Sequence, residues 1–217
     1  MANFTEDLYQ YVTRQLAELD LLKEPIIEPA APSEVIRRLK IALKSELEAS
    51  ELAAVWMPTT PEIDVKLALA RQAGDEAKHY RLIEKRLEQL GASTADFNPV
   101  AEGYGPMFQL LLDFRTTVER VAGAQLARES LALKKNEQFI EFCENAGDHE
   151  TASLYRDEIQ PDEEWHVDLG RRVLEKYATT PELQDKVRKS AQAVLDLAVK
   201  LQNKQLNELK VSHAPGC

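Results

Sequence analysis

Apolar side chains recur along most of this chain at alternating steps of three and four, the spacing that lines one face of an α-helix. After Ser33 the positions Ile36, Leu39, Leu43, Glu46, Ser50, Ala53 and Met57 advance in this way, and a second stripe runs through Val65, Leu69, Gln72, Glu76, His79, Ile83 and Leu90. Ala122, Leu126, Glu129 and Leu133 form a third, and Ile159, Glu163, His166, Gly170, Val173 and Tyr177 a fourth. A last stripe, Val187, Ala191, Val194, Leu195, Ala198 and Leu201, either closes the bundle or pairs with a second copy of the chain as a homodimer. No run alternates Val, Ile or Thr with polar residues, so no strands are expected. The pattern predicts an all-α fold.

Punctuation places the helices. A first amphipathic helix covers about 4–23 and leads into the Pro-containing linker KEPIIEPAAP. Ser33 serves as N-cap for a helix reaching about Met57; Thr60 caps the next, with Pro61 at its first position, and Gly91 ends it. After the loop ASTADFNPVAEGYG one helix opens at Pro106 and runs to a break before Asp148. The following helix holds PDEEWH and ends near Ala178; a second TTPE, at 179–182, opens a last helix over 181–209, and the tail beyond it is expected to fray. Pro161 kinks the chain beside Glu163 or marks a helix start, and Gly123, in mid-helix, marks close packing or room for a substrate. The 217 residues read as a single domain, 1–217, with a core bundle over about 33–178 and a flanking helix on either side.

Composition removes whole classes of function. Cys143 and Cys217 are the only cysteines, so neither a disulfide framework nor a cysteine metal ribbon is available. With 27 Lys plus Arg against 37 Asp plus Glu, a formal charge of −10 argues against nucleic acid as the main partner. No apolar run approaches a membrane span, and MANFTEDLYQYVTRQ lacks a basic region followed by an apolar core, which leads to the expectation of a soluble, cytoplasmic protein.

Two short stretches carry the chemistry. GDEAKHY at 74–80 and PDEEWHVDLG at 161–170 both contain Asp-Glu-x-x-His. Within each, Glu and His are three residues apart on a helix, so Glu76 with His79, and Glu163 with His166, share a face and can grip one object. Both pairs lie on inward stripes, and a carboxylate buried alone is costly, so these glutamates call for a cation or a hydrogen-bonding partner. A metal site would draw one further inward carboxylate from each of the other two core helices. Glu46 fills that place in the first core helix, and in the third Glu129 competes with Glu119. The other two histidines, His149 and His213, read as surface residues.

Glu46, Glu76, His79, Glu129, Glu163 and His166 together present one glutamate from each of two helices and one Glu-x-x-His from each of the other two, the ligand pattern of carboxylate-bridged di-iron or di-manganese bundles. Hard oxygen donors with two imidazoles suit Fe(II) or Mn(II), and four carboxylates neutralise two divalent ions.

On these residues and their order, the chain resembles the ferritin-like superfamily, which includes rubrerythrins, bacterioferritins, ribonucleotide reductase small subunits and bacterial multicomponent monooxygenases. The resemblance covers about 33–178 and implies a ferritin-like four-helix bundle with added N- and C-terminal helices. It further implies that Glu76 and Glu163 bridge two metal ions, that His79 and His166 bind one ion each, and that Glu46 and Glu129 are terminal ligands. Asp75 and Asp162 would each hydrogen-bond a ligand histidine across the site. The implied cofactor is a pair of iron ions, with Mn/Fe or Mn2 as variants. The implied activity is that of an oxidoreductase activating O2 or peroxide, with an oxidase or oxygenase acting on a small organic substrate in front. A rubrerythrin-like peroxidase fed by a separate electron-donor protein, a bacterioferritin-like ferroxidase and a non-enzymatic helical scaffold stand as alternatives. Ile83, four residues after His79, occupies the place where a radical tyrosine would be sought in a reductase subunit.

Overall fold

A computed structural model describes residues 4–18 and 30–216, and among these every regular element is helical. In chain order they are α1 (Phe4–Glu18), α2 (Pro32–Trp56), α3 (Ile63–Gln89), α4 (Pro106–Leu112), α5 (Thr117–Val121), α6 (Glu129–Asn145), α7 (His149–Leu154), α8 (Gln160–Tyr177) and α9 (Pro181–Lys204). Wider π-helical segments join α5 to α6 (Ala122–Arg128) and α7 to α8 (Tyr155–Ile159), and a third extends α9 (Gln205–Leu209). Residues 19–23 of the expected first helix, and most of the linker after it, lie outside the described residues. No helix among the described residues is long and apolar enough to cross a membrane.

α2 and α3 pair along their length, joined by a short 3₁₀ turn (Met57–Thr59), and the α5–α6 and α7–α8 stretches form the facing pair. α9 lies against the first π segment and α5, and α1 covers α8, α9 and α6. The apolar interior divides into two clusters. One joins Leu52, Trp56, Leu69, Leu126, Leu174 and Leu195 with the α1 side chains Leu8, Val12 and Leu16. The other holds Leu39, Leu43, Ile83, Leu87, Phe139, Phe142, Tyr155 and Ile159. A layer of buried charged groups lies between them: along α2, Glu46 falls between Leu43 and Leu52; along α3, Glu76 and His79 fall between Leu69 and Ile83.

Several boundaries follow their expected chemistry. Gly91 and Gly147 adopt left-handed φ of 78° and 75°, and the next residue in each case, Ala92 or Asp148, donates its N–H to the carbonyl five residues back. These closures stop α3 and α6 with Gly where a Cβ would be strained. Thr180 accepts from the Leu183 N–H, with Pro181 opening α9.

Others depart from expectation. Ser33 is not the cap of α2: extended Ala31 holds that place, with Pro32 in the first turn. α3 starts at Ile63 rather than Pro61, because the buried Thr60 hydroxyl turns back to donate to the Trp56 carbonyl (2.9 Å) and accepts from Arg120 (3.2 Å). The helix expected from Pro106 breaks at 113–116, where Phe114 packs so closely that a Cβ on Gly123 would lie 2.3 Å from its ring. Gly123 therefore serves close packing. Pro161 sits in the first turn of α8, immediately after a π segment that already redirects the backbone. The described part of the tail, 210–216, is docked rather than frayed: Val211, Ser212 and Ala214 are buried, Arg38 donates to the Ser212 carbonyl (2.8 Å), and the Gly216 N–H donates to Asn136 (2.9 Å).

Candidate metal centre

Four helices bring Glu46, Glu76, His79, Glu129, Glu163 and His166 together at one level of the bundle, and each has 0% of its surface exposed. Their donor atoms fall into two groups able to hold a metal ion, Glu46, Glu76, His79 and Glu163 on one side and Glu76, Glu129, Glu163 and His166 on the other. Glu76 and Glu163 belong to both. Glu76 turns Oε2 to His79 Nδ1 (3.3 Å) and Oε1 to His166 Nδ1 (3.6 Å), while Glu163 turns Oε1 to His79 (3.9 Å) and Oε2 to His166 (3.2 Å). Each of these carboxylates thus faces both histidines, one oxygen apiece. Glu46 adds an oxygen 3.4 Å from His79 Nδ1.

The outer nitrogens are engaged across the bundle. His79 Nε2 lies 3.2 Å from Asp162 of α8, and His166 Nε2 lies 3.4 Å from Asp75 of α3. Asp162 is also paired with Lys78 (3.0 Å) and Asp75 with Arg71 (3.2 Å). Such bonds hold each ring with Nδ1 aimed inward and leave that nitrogen as the donor to an ion.

Local backbone chemistry decides which carboxylate of the α5–α6 stretch points inward. Glu119 closes a capping box at the start of α5, its Oε2 accepting from the Thr116 N–H (2.8 Å) and hydroxyl (2.6 Å). It is committed there and lies outside the cluster. Glu129 follows directly on the π segment Ala122–Arg128, whose seven residues are all buried, and enters the cluster. The stripe expected through Ala122, Leu126 and Glu129 stays buried across this π segment, although the extra residue of a π turn shifts the helical phase. On α8, Gly170 allows the approach that the site requires, since a Cβ there would lie 3.1 Å from the Gln125 carbonyl carbon and the Leu126 nitrogen.

Three side chains not expected from the sequence complete the layer. Gln72 Nε2 donates to Glu129 Oε1 (3.0 Å) and Glu76 Oε1 (3.3 Å), and its own carbonyl accepts from Gln125 Nε2 (2.7 Å). Arg128 Nη1 donates to the same Glu129 oxygen (3.1 Å). Gln72 had a legible signal, an amide one turn before Glu76 on an inward stripe; Gln125 and Arg128 lie in the π segment and had none.

The buried carboxylates and imidazoles shift one another strongly. Burial disfavours the His79 cation, yet Glu46 and Glu76 outweigh it and push the imidazole up to about 12. His166 is pushed up to about 11, burial again being outweighed by Asp75, Glu163 and Glu76. Burial, then the charges of Glu129 and Glu76, raise Glu163 well above the usual carboxylate range. Burial would raise Glu76 as well, but His79 and His166 hold it far below that range. The buried oxygens Glu129 Oε2 and Glu163 Oε1 have no hydrogen-bond donor. Four carboxylates, two inward imidazoles and undonated buried oxygens are the donor set a pair of divalent ions would satisfy.

Of the remaining chemistry-bearing residues, Trp165 packs its ring 5.7 Å from His166 beneath the Arg71 guanidinium, Tyr80 is half-buried, and His149 is exposed. His213 is half-buried against Phe142 rather than at the surface. Cys143 is buried, and burial raises its thiol far above the ordinary value, leaving it protonated and unreactive.

The profile of the DUF455 family, described as "Protein of unknown function", matches residues 40–213. No curated protein matches the chain, and no solved structure does.

Proposed function

We propose that this chain, which belongs to the DUF455 family, is a dinuclear-metal oxidoreductase on a ferritin-like bundle, holding two iron ions and activating O2 or peroxide to oxidise a small organic substrate. One observation carries the reading: two groups of potential metal-ligating side chains share the wholly buried Glu76 and Glu163, each of which turns one oxygen to either histidine. A structural ion-pair network has no need of that bifacial arrangement.

In this reading Glu46 and His79 would hold one ion and Glu129 and His166 the other, with Glu76 and Glu163 available to both. A pair of iron ions supplies two electrons to one O2 or peroxide, which the side chains alone cannot do. The protein's own contribution is positioning and exclusion. Asp162 and Asp75 fix the two imidazole rings, and the apolar clusters on either side of the layer keep bulk water out. All six ligands are fully buried, so an organic substrate would reach them only with a movement of the surrounding side chains or helices.

Metal content per folded chain, followed by the absorption spectrum when air is admitted to anaerobic Fe(II)-loaded protein, tests this. Two ions per chain and a new near-ultraviolet or visible band are expected. A folded protein that takes up no paired metal would refute the proposal and leave a helical scaffold.

A further inference from the structure

Resting on that two-metal reading, we propose that the two metal positions are unequal. The position at Glu46 and His79 fills first and holds its ion firmly, while the position at Glu129 and His166, flanked by the Arg128 guanidinium, fills second and exchanges its ion readily.

The centre is close to symmetric in its bridging glutamates, in its cross-bundle aspartates and in the cations behind them, Lys78 on Asp162 and Arg71 on Asp75. The symmetry breaks at Glu129. Its Oε1 accepts from both Gln72 (3.0 Å) and Arg128 (3.1 Å), while Oε2 is buried with no hydrogen-bond donor. Gln72 also donates to Glu76 Oε1, the oxygen on the His166 side. Gln125 holds the Gln72 carbonyl, which keeps the amide nitrogen turned toward the two carboxylates.

Two consequences act in the same direction. An oxygen that already accepts two hydrogen bonds, one of them from a cation, is a poor donor to a metal, so Glu129 offers its ion a single oxygen. Arg128 also places its guanidinium beside that position, 3.1 Å from Glu129 Oε1 and in an interior where charges are weakly screened, and opposes a dication there. The same guanidinium that compensates Glu129 in the metal-free protein therefore opposes filling of the position Glu129 serves.

Calorimetric titration of the metal-free chain with Mn(II), which is stable in air, reads this directly. Wild type is expected to bind two ions in two steps whose Kd values differ by about tenfold or more. Arg128→Met, which keeps an apolar stem and removes the charge, should tighten the second step by about tenfold or more and leave the first unchanged. Arg128→Lys retains the charge and should retain the gap. If Arg128→Met does not fold, Glu129→Gln and Glu46→Gln decide: the first should keep the tight step alone, the second the weak step alone. Equal affinities in wild type, a gap that Arg128→Met leaves unchanged or widens, or the reverse assignment in the glutamate variants would overturn the inequality. No Mn(II) bound, or one ion per chain at saturation, refutes the two-metal reading itself; two equivalent ions leave it standing and refute only this inference.

Discussion

Glu119→Ala and Glu129→Gln separate a helix cap from a proposed metal ligand on the same stretch of chain. Glu119 accepts two hydrogen bonds from Thr116 at the partly exposed start of α5, so its removal costs a cap, about 1 kcal/mol. In a chain of 217 residues that lowers Tm by about 2–4 °C, with metal content unchanged. Glu129 is wholly buried, and Arg128, with which it pairs, is only 8% exposed. Breaking one side of a buried ion pair costs about 3–5 kcal/mol; a glutamine carbonyl still accepts from Arg128, so the lower end of that range applies, a fall of about 6–12 °C for the metal-free protein. In the loaded protein Glu129→Gln should lose one ion per chain. Scanning calorimetry with and without chelator, paired with elemental analysis, measures both quantities. If Glu119→Ala lost metal, or Glu129→Gln kept two ions with the wild-type spectrum, the assignment of Glu129 would be wrong.

Other outcomes follow from the same geometry. Metal loading near pH 7.5 should release protons, because the imidazoles, at about 12 and about 11 in the metal-free fold, must be neutral to ligate; apparent Mn(II) affinity should then rise with pH, and a pH-indicator dye that shows no release contradicts this. Imidazoles raised above their unfolded value of about 6.5 stabilise the metal-free fold fully below that pH, and this contribution is lost as pH rises toward 11–12, so chelator-treated protein should become progressively easier to unfold by urea above about pH 6.5. Asp162→Asn should weaken metal binding by about 10–100-fold, since it alters the bond that orients His79; equilibrium dialysis showing wild-type affinity would remove Asp162 from the site. Gly170→Ala, despite the better helix propensity of alanine, should destabilise by about 1 kcal/mol, because its Cβ would press on the Gln125–Leu126 backbone; an equal or higher Tm would mean the helices are not held that closely.

The i, i+3 spacing of Glu76 with His79 and of Glu163 with His166, and their placement on apolar stripes, are local properties of a helix, so the sequence alone determined that these side chains face inward in pairs. Backbone chemistry confined to a few residues was equally legible: the Thr180–Pro181 start of α9 and the Gly91 stop of α3 need nothing beyond a cap oxygen or a missing Cβ. Glu129 was narrowed only to a choice with Glu119, because whether a turn is α or π depends on what packs against it, and one added residue shifts the face of everything downstream. Ser33 and Thr60 look like caps in isolation, yet Ala31 with Pro32 starts α2, and the buried Thr60 hydroxyl is spent on Trp56 and Arg120. The Gln72–Gln125–Glu129–Arg128 network and the docked tail join residues far apart in the chain. Periodicity reports which way a side chain points, and only the tertiary structure decides what it meets there.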